Sequence, residues 1–195
     1  VLALQAAGIG SGDPVVVPAL TMVAVSNAAR IIGARPVFID CAEGEYNPGL
    51  QEVKQALRET EGVRAAVLCH TYGVPAADVR EVATLCRSHG AVLIEDISEC
   101  AGVHIDGRDG GEPEPLGSIG DFACASLYAN KILHGADGGL VLARDASLGY
   151  TLKSLANHGF TGSFHFVHLR VALNCKMNGV GAALAAGCLE RHNVD

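Results

Sequence analysis

The sequence predicts an α/β fold: a mostly parallel central sheet with helices on both faces. Three observations carry this expectation. Short apolar runs alternate with stretches of helical periodicity, the rhythm of strand-helix-strand units that build parallel sheets. The runs are nearly continuous in Val, Ile, Leu and Ala, as strands covered on both faces require. Glycine is abundant at 24 residues while aromatics make up only 5% and tryptophan is absent, which suits such small-residue strands. A length of 195 residues with 49% hydrophobic content is enough for one domain with a substantial core, and no linker or repeat marks a second.

The elements follow in order. Residues 2–8 read as a helix tail stopped by Gly8-Ile9-Gly10-Ser11-Gly12. Pro14 to Pro18 is a β-branched strand, and Thr21 is the expected N-cap of a helix through Ile32 and Gly33. A strand from Arg35 to Asp40 is followed by a helix opened by Asn47-Pro48 and running to about Leu57, with Leu50, Val53 and Leu57 on one face. Ala65 to Cys69 is a strand ending in His70-Thr71-Tyr72-Gly73. The stretch Ala76 to His89 is helical, with Val79, Val82 and Cys86 in one stripe and Gly90 as the stop. The strand Ala91 to Ile94 ends in Glu95-Asp96, and residues 102–121 read as a polar loop with at most a short turn. Strands at 122–127 and 138–143 precede a helix at Ala146 to Ala156, an irregular loop to about Leu173, and a last helix from Asn178 to Arg191.

A formal charge of -7 argues against a nucleic-acid partner. Seven scattered cysteines without a C-x-x-C pair read as reduced thiols, mostly in the core, and imply a cytoplasmic setting. No apolar run approaches the roughly 18 residues of a bilayer span, so no membrane partner is expected. Both ends read as cut: Val1 is not a methionine and lies in helical rhythm, and Asp195 directly follows a helical pattern.

Ligands of parallel sheets sit at the carboxyl ends of strands, where His70, Tyr72, Glu95 and Asp96 fall. Lys131, in Ser126-Leu127-Tyr128-Ala129-Asn130-Lys131, follows another strand and precedes the glycine-rich 134–139 segment. A lone lysine is ordinarily a surface residue. Its pairing with a carboxylate at a different strand end points to pyridoxal phosphate, which needs an amine, a carboxylate for its ring nitrogen and donors for its phosphate. Asp96 is the candidate carboxylate, since it caps an apolar strand where an unpaired charge is costly; the competing assignment is a helix N-cap. Ser126 offers a hydroxyl to phosphate or simply forms a turn. Gly135 to Gly139 is either a phosphate nest or, more simply, a tight connection, as it lacks the Lys-Ser/Thr ending of a P-loop. His165 and His168 have no third ligand, so no metal is expected.

Pro18-Ala19-Leu20-Thr21, His70 to Gly73, Glu95 to Glu99, Gly117 to Asp121, Ser126 to Lys131, Asp137 to Gly139, Asn157-His158-Gly159 and Asn174-Cys175-Lys176-Met177 occur in this order along the chain. The set resembles the DegT/DnrJ/EryC1/StrS aminotransferases, sugar aminotransferases of fold type I, over nearly the whole sequence. The resemblance implies pyridoxal 5'-phosphate as cofactor, with Lys131 as its Schiff-base lysine and Asp96 as the partner of its pyridine nitrogen. Glu99 matches a Gln or Glu near the phenolic oxygen, and Ser126 a phosphate ligand. Asn174 matches an asparagine that reaches the phosphate of a neighbouring subunit, implying a homodimer with shared active sites. Tyr72 and His158, with His70, either line the site or are satisfied polar residues at element ends. Met22 stands where relatives carry an aromatic on the ring, and Lys176 where an arginine is usual.

The family's Gly-Thr phosphate segment would lie before Val1 and its small domain after Asp195, so residues 1–195 are expected to be a single pyridoxal phosphate-binding large domain, incomplete at both ends. The implied reaction transfers an amino group, with glutamate as the expected donor, to a nucleotide-linked keto sugar. The alternatives are a non-catalytic or regulatory remnant and a sugar dehydratase; Lys131 argues against the latter, whose known branches carry histidine there.

Overall fold

The computed structural model describes residues 1–107, 110–160 and 166–192. Six strands form the main sheet in the order β2-β1-β3-β4-β7-β8. They are β1 (Pro14–Pro18), β2 (Arg35–Ile39), β3 (Ala65–Cys69), β4 (Val92–Asp96), β7 (Phe122–Ser126) and β8 (Gly139–Ala143). Neighbours are parallel from β2 through β7, and β8 closes the edge antiparallel to β7. Helices α1 (Leu2–Ala6), α2 (Ala24–Ile31), α3 (Leu50–Glu59), α4 (Val79–Ser88), α5 (Ala146–Ala156) and α6 (Gly179–His192) complete the regular structure with the two-residue strands β5 (His104–Ile105) and β6 (Glu114–Pro115).

Strand side chains alternate between the two faces of a sheet, and the core divides accordingly. Val16, Ala66, Leu68 and Leu93 face Val53 and Leu57 of α3 and Val82 and Cys86 of α4. Val15, Val17, Ala65, Val67 and Ile94 face the other way, against Leu4 of α1, Val25 and Ala29 of α2 and Leu152 of α5. The predicted α/β class therefore holds, with helices on both faces. All five residues of β1 and of β3 are buried, which is why their sequences show no polar alternation. Among the described residues no helix is long and apolar enough to cross a membrane.

Four local expectations need correction. Thr21 is not a helix cap: α2 starts at Ala24 after Val23 with no side-chain cap bond. Asn47-Pro48 does not open α3. The helix starts at Leu50 beyond Gly49, whose amide donates to Glu52 Oε2, while Asn47 is buried elsewhere. Helix α4 starts at Val79 rather than Ala76, behind Asp78 in a left-handed conformation (φ 56°). The 102–121 loop holds an antiparallel ribbon of β5 and β6, tied to α4 by Arg80, which pairs with Glu114 at 3.2 Å.

Candidate active site

Strands β3, β4 and β7 end side by side, with Cys69, Asp96 and Cys124 in register. The last two residues of β4 are both carboxylates, and alternation sends them to opposite faces. Glu95 is fully buried. Its oxygens accept hydrogen bonds from the amides of Gly117 (3.0 Å), Ile119 (2.9 Å) and Gly120, and Nε2 of His70 lies 3.2 Å away. Nδ1 of His70 accepts the Ala76 amide at 3.0 Å, which assigns the proton to Nε2 and makes the imidazole a neutral donor to Glu95. Burial pushes the Glu95 carboxyl up, but hydrogen bonds from His70, Gly120 and Gly117 outweigh it and hold the group below its ordinary range. His70 is thus a satisfied core residue, and Glu95 anchors the loop leading into β7.

Asp96 stays partly exposed, and its Oδ1 accepts the Ser98 amide at 3.0 Å. Ser98 Oγ in turn accepts the Ser126 amide at 3.0 Å, locking the turn after β4 to the end of β7. Across that lock, Glu99 Oε1 meets Lys131 Nζ at 3.2 Å, while Glu99 Oε2 accepts the Tyr72 amide at 2.8 Å. The Tyr72 hydrogen bond, opposed by burial and joined by Lys131, holds the Glu99 carboxyl below its ordinary range. A cavity of about 360 Å³ opens here, lined by Tyr72, Ser98, Glu99, Ser126, Asn130 and Lys131 among others.

Of the residues singled out in the sequence, Lys131, Glu99, Ser126 and Tyr72 meet at this cavity. Asp96 is two residues from Ser98 at the same strand end but is not part of the lining. Met22 is exposed in the turn before α2, outside the cavity. Asn174 forms an isolated bridge with Asn157, whose Oδ1 accepts Lys176 Nζ at 2.6 Å. His158 lines a separate hollow with His168 and Arg170. His165 lies outside the described residues. The 135–139 segment is a connection: the Gly135 amide donates to Leu127 O and the Leu127 amide to Gly138 O. Sequence reasoning missed Ser98; the Asp-x-Ser spacing from Asp96, typical of a turn closed by an aspartate side chain, is the signal that finds it. Among the described residues no group of three or more His, Cys, Asp or Glu is placed to hold a metal ion.

The donor set fits pyridoxal phosphate. A primary amine is held by a carboxylate at the wall of a cavity, a second carboxylate stands at the adjoining strand end, and two serines, Ser98 and Ser126, line the same cavity.

The architecture is a mostly parallel sheet with a lysine and carboxylates gathered at its strand ends. The chain belongs to the DegT/DnrJ/EryC1/StrS aminotransferase family, whose model matches residues 1–193. It is 35% identical to a UDP-N-acetyl-3-dehydro-alpha-D-glucosamine 3-aminotransferase of Acidithiobacillus ferrooxidans, covering 94% of this chain and 47% of that protein. It is 32% identical to a GDP-perosamine synthase of Vibrio cholerae, covering 97% and 49% respectively. The crystal structure of the aminotransferase TlmJ from Streptoalloteichus hindustanus superposes with a TM-score of 0.86 at 33% identity, covering 97% of this chain and 50% of that one. The chain thus spans about half the length of the relatives it matches.

Proposed function

We propose that residues 1–195 are the cofactor-binding unit of a pyridoxal phosphate-dependent aminotransferase that moves an amino group from glutamate to a keto sugar carried by a nucleotide. The observation that carries this is the Lys131–Glu99 pair at the strand ends of a chain in this family. The named relatives act on UDP- and GDP-linked sugars, which supports the substrate class.

When bound, the cofactor supplies an electron sink for the carbon that loses a proton. The protein's own groups do the rest. Asp96 would keep the ring nitrogen protonated, the Ser126 hydroxyl would donate to the phosphate, and Met22, which lies outside the cavity, would supply its thioether to the ring. Lys131 Nζ would hold the cofactor and, once displaced by the amino donor, would carry the proton taken from the donor's α-carbon. Glu99, anionic and 3.2 Å away, holds the Lys131 ammonium in place between these tasks. Tyr72 and His158 are assigned to the substrate side. Asn174 reaches the phosphate of a second copy in a cytoplasmic homodimer with shared active sites. The amino donor and the keto sugar are the only partners this reading requires; it involves neither nucleic acid nor a membrane.

The test is isotope transfer. The full-length protein is incubated with ¹⁵N-glutamate and UDP-, GDP- or dTDP-linked keto sugars, and the sugar product is weighed by mass spectrometry. Appearance of ¹⁵N in a nucleotide sugar is expected; no transfer to any of the three classes contradicts the proposal.

A further inference from the structure

We infer that Asn47 is a positioning residue for the Lys131–Glu99 pair: its buried carboxamide clamps the turn after β3 so that Tyr72 delivers its backbone hydrogen to Glu99. The inference deepens the functional reading above and rests on it for the role of the pair.

Asn47 is only 3% exposed. Its Oδ1 accepts the Thr71 amide at 3.0 Å, and its Nδ2 donates to Val74 O at 2.9 Å. Both polar atoms are thus committed to opposite ends of one short turn, and only a carboxamide supplies an acceptor and a donor in that geometry.

The turn it grips is strained. Tyr72 adopts φ 58° and ψ 25°, a left-handed conformation that an aromatic L-residue rarely takes. Gly73 follows at φ 78°, and a Cβ there would lie 3.3 Å from Glu99 O, so the turn packs directly on the backbone of Glu99. The consequence of the strained geometry is a single hydrogen bond, Tyr72 N–H to Glu99 Oε2 at 2.8 Å. The same carboxylate holds Lys131 through its other oxygen. Two further contacts support the turn. The Tyr46 ring meets the Tyr72 ring edge-on at 5.6 Å, and His70, at the start of the turn, is fixed between Glu95 and the Ala76 amide. The Tyr72 amide is also the largest influence on the Glu99 carboxyl, ahead of burial and of Lys131. Among the described residues, the titratable groups coupled to Glu99 include Lys131, Cys69 and Cys100.

The test uses the full chain without cofactor. ¹³C NMR follows the Glu99 carboxyl through a pH titration, and amide hydrogen exchange reads Tyr72. In Asn47→Ala the Tyr72 amide is expected to exchange about tenfold faster and the Glu99 midpoint to rise by about one unit, the effect of losing a hydrogen bond to a charged acceptor. Adding Tyr72→Gly, which takes positive φ without strain, is expected to bring the midpoint back toward that of the unsubstituted chain. Should Asn47→Ala not fold, Asn47→Ser supplies the same comparison, because its hydroxyl is too short to span both ends of the turn. An unchanged Glu99 midpoint in a folded Asn47 variant overturns the inference. Failure of the functional reading shows elsewhere, as absence of amino transfer by the unsubstituted protein, and leaves this cofactor-free titration unaffected.

Discussion

Glu99 Oε1 lies 3.2 Å from Lys131 Nζ, although the two residues are 32 positions apart in the chain. The contact joins the turn after β4 to the turn after β7, and the Ser98–Ser126 hydrogen bond fixes the distance between those turns. Because Glu99 is also held by the Tyr72 amide, the lysine is presented by three consecutive elements of the sheet rather than by its own loop.

The pair is partly exposed, with side-chain accessibilities of 20% for Lys131 and 40% for Glu99. Exposed ion pairs contribute little to stability, so Glu99→Gln should change the unfolding free energy by less than about 1 kcal/mol. Urea denaturation measures this. The turnover rate should fall in the same variant, because the neutral amide no longer fixes the ammonium; unchanged turnover would assign Glu99 no part in the reaction.

Glu95 behaves in the opposite way. Removing it leaves two buried amides, the part-buried Gly117 amide and the His70 N–H without an acceptor, and Glu95→Ala should cost about 3–5 kcal/mol in chemical denaturation.

Its titration sets an acid limb of stability. The folded carboxyl lies below its ordinary value of 4.5, so the unfolded chain binds the proton first. The stabilisation is fully present above about pH 4.5 and is lost as pH falls through the folded value. Glu95→Gln, which has no proton to gain, should flatten the stability profile below pH 4.5 when denaturation midpoints are measured across that range.

Gly120 is a steric requirement of the same network. A Cβ there would stand 3.0 Å from Leu93 O, 3.1 Å from Phe122 O and 3.2 Å from Glu95 Cγ. The first two are backbone atoms and cannot move aside, so Gly120→Ala should destabilise the protein by roughly 1–3 kcal/mol, as overpacked sites do. A thermal melt reads the loss.

The thiols should separate by reactivity. Burial pushes Cys69, Cys86 and Cys100 up to about 12 and Cys124 to about 11, whereas Cys175 is exposed. A disulfide reagent at pH 8 should therefore modify Cys175 rapidly and these four only after denaturation, since the thiolate is the reacting form.

The strands of this fold were legible because their burial on both faces makes them continuous apolar runs: Ala65 to Cys69 is a strand to the residue. Helix starts were less so. Thr21 and Asn47 have the chemistry of caps, but neither caps a helix, and Asn47 bonds to the turn after β3, a tertiary partner that local sequence does not reveal. For the same reason the site was only half visible. Lys131 and Asp96 are readable as charges near the ends of apolar strands, whereas Glu99 is marked only by the family resemblance. The antiparallel course of β8 and the Ser98–Ser126 lock depend on which strands become neighbours, and periodicity carries no information about strand order.

Lys131 as the covalent anchor of the cofactor is the claim on which the account turns, and borohydride trapping tests it most directly. The full-length protein is mixed with pyridoxal phosphate, its visible absorbance recorded, and the complex reduced, digested and mapped by mass spectrometry. A visible band that borohydride bleaches is expected, with the cofactor's mass on the peptide containing Lys131 and neither band nor label in Lys131→Ala. Labelling that persists in Lys131→Ala, or a protein that gains no visible band, would contradict it.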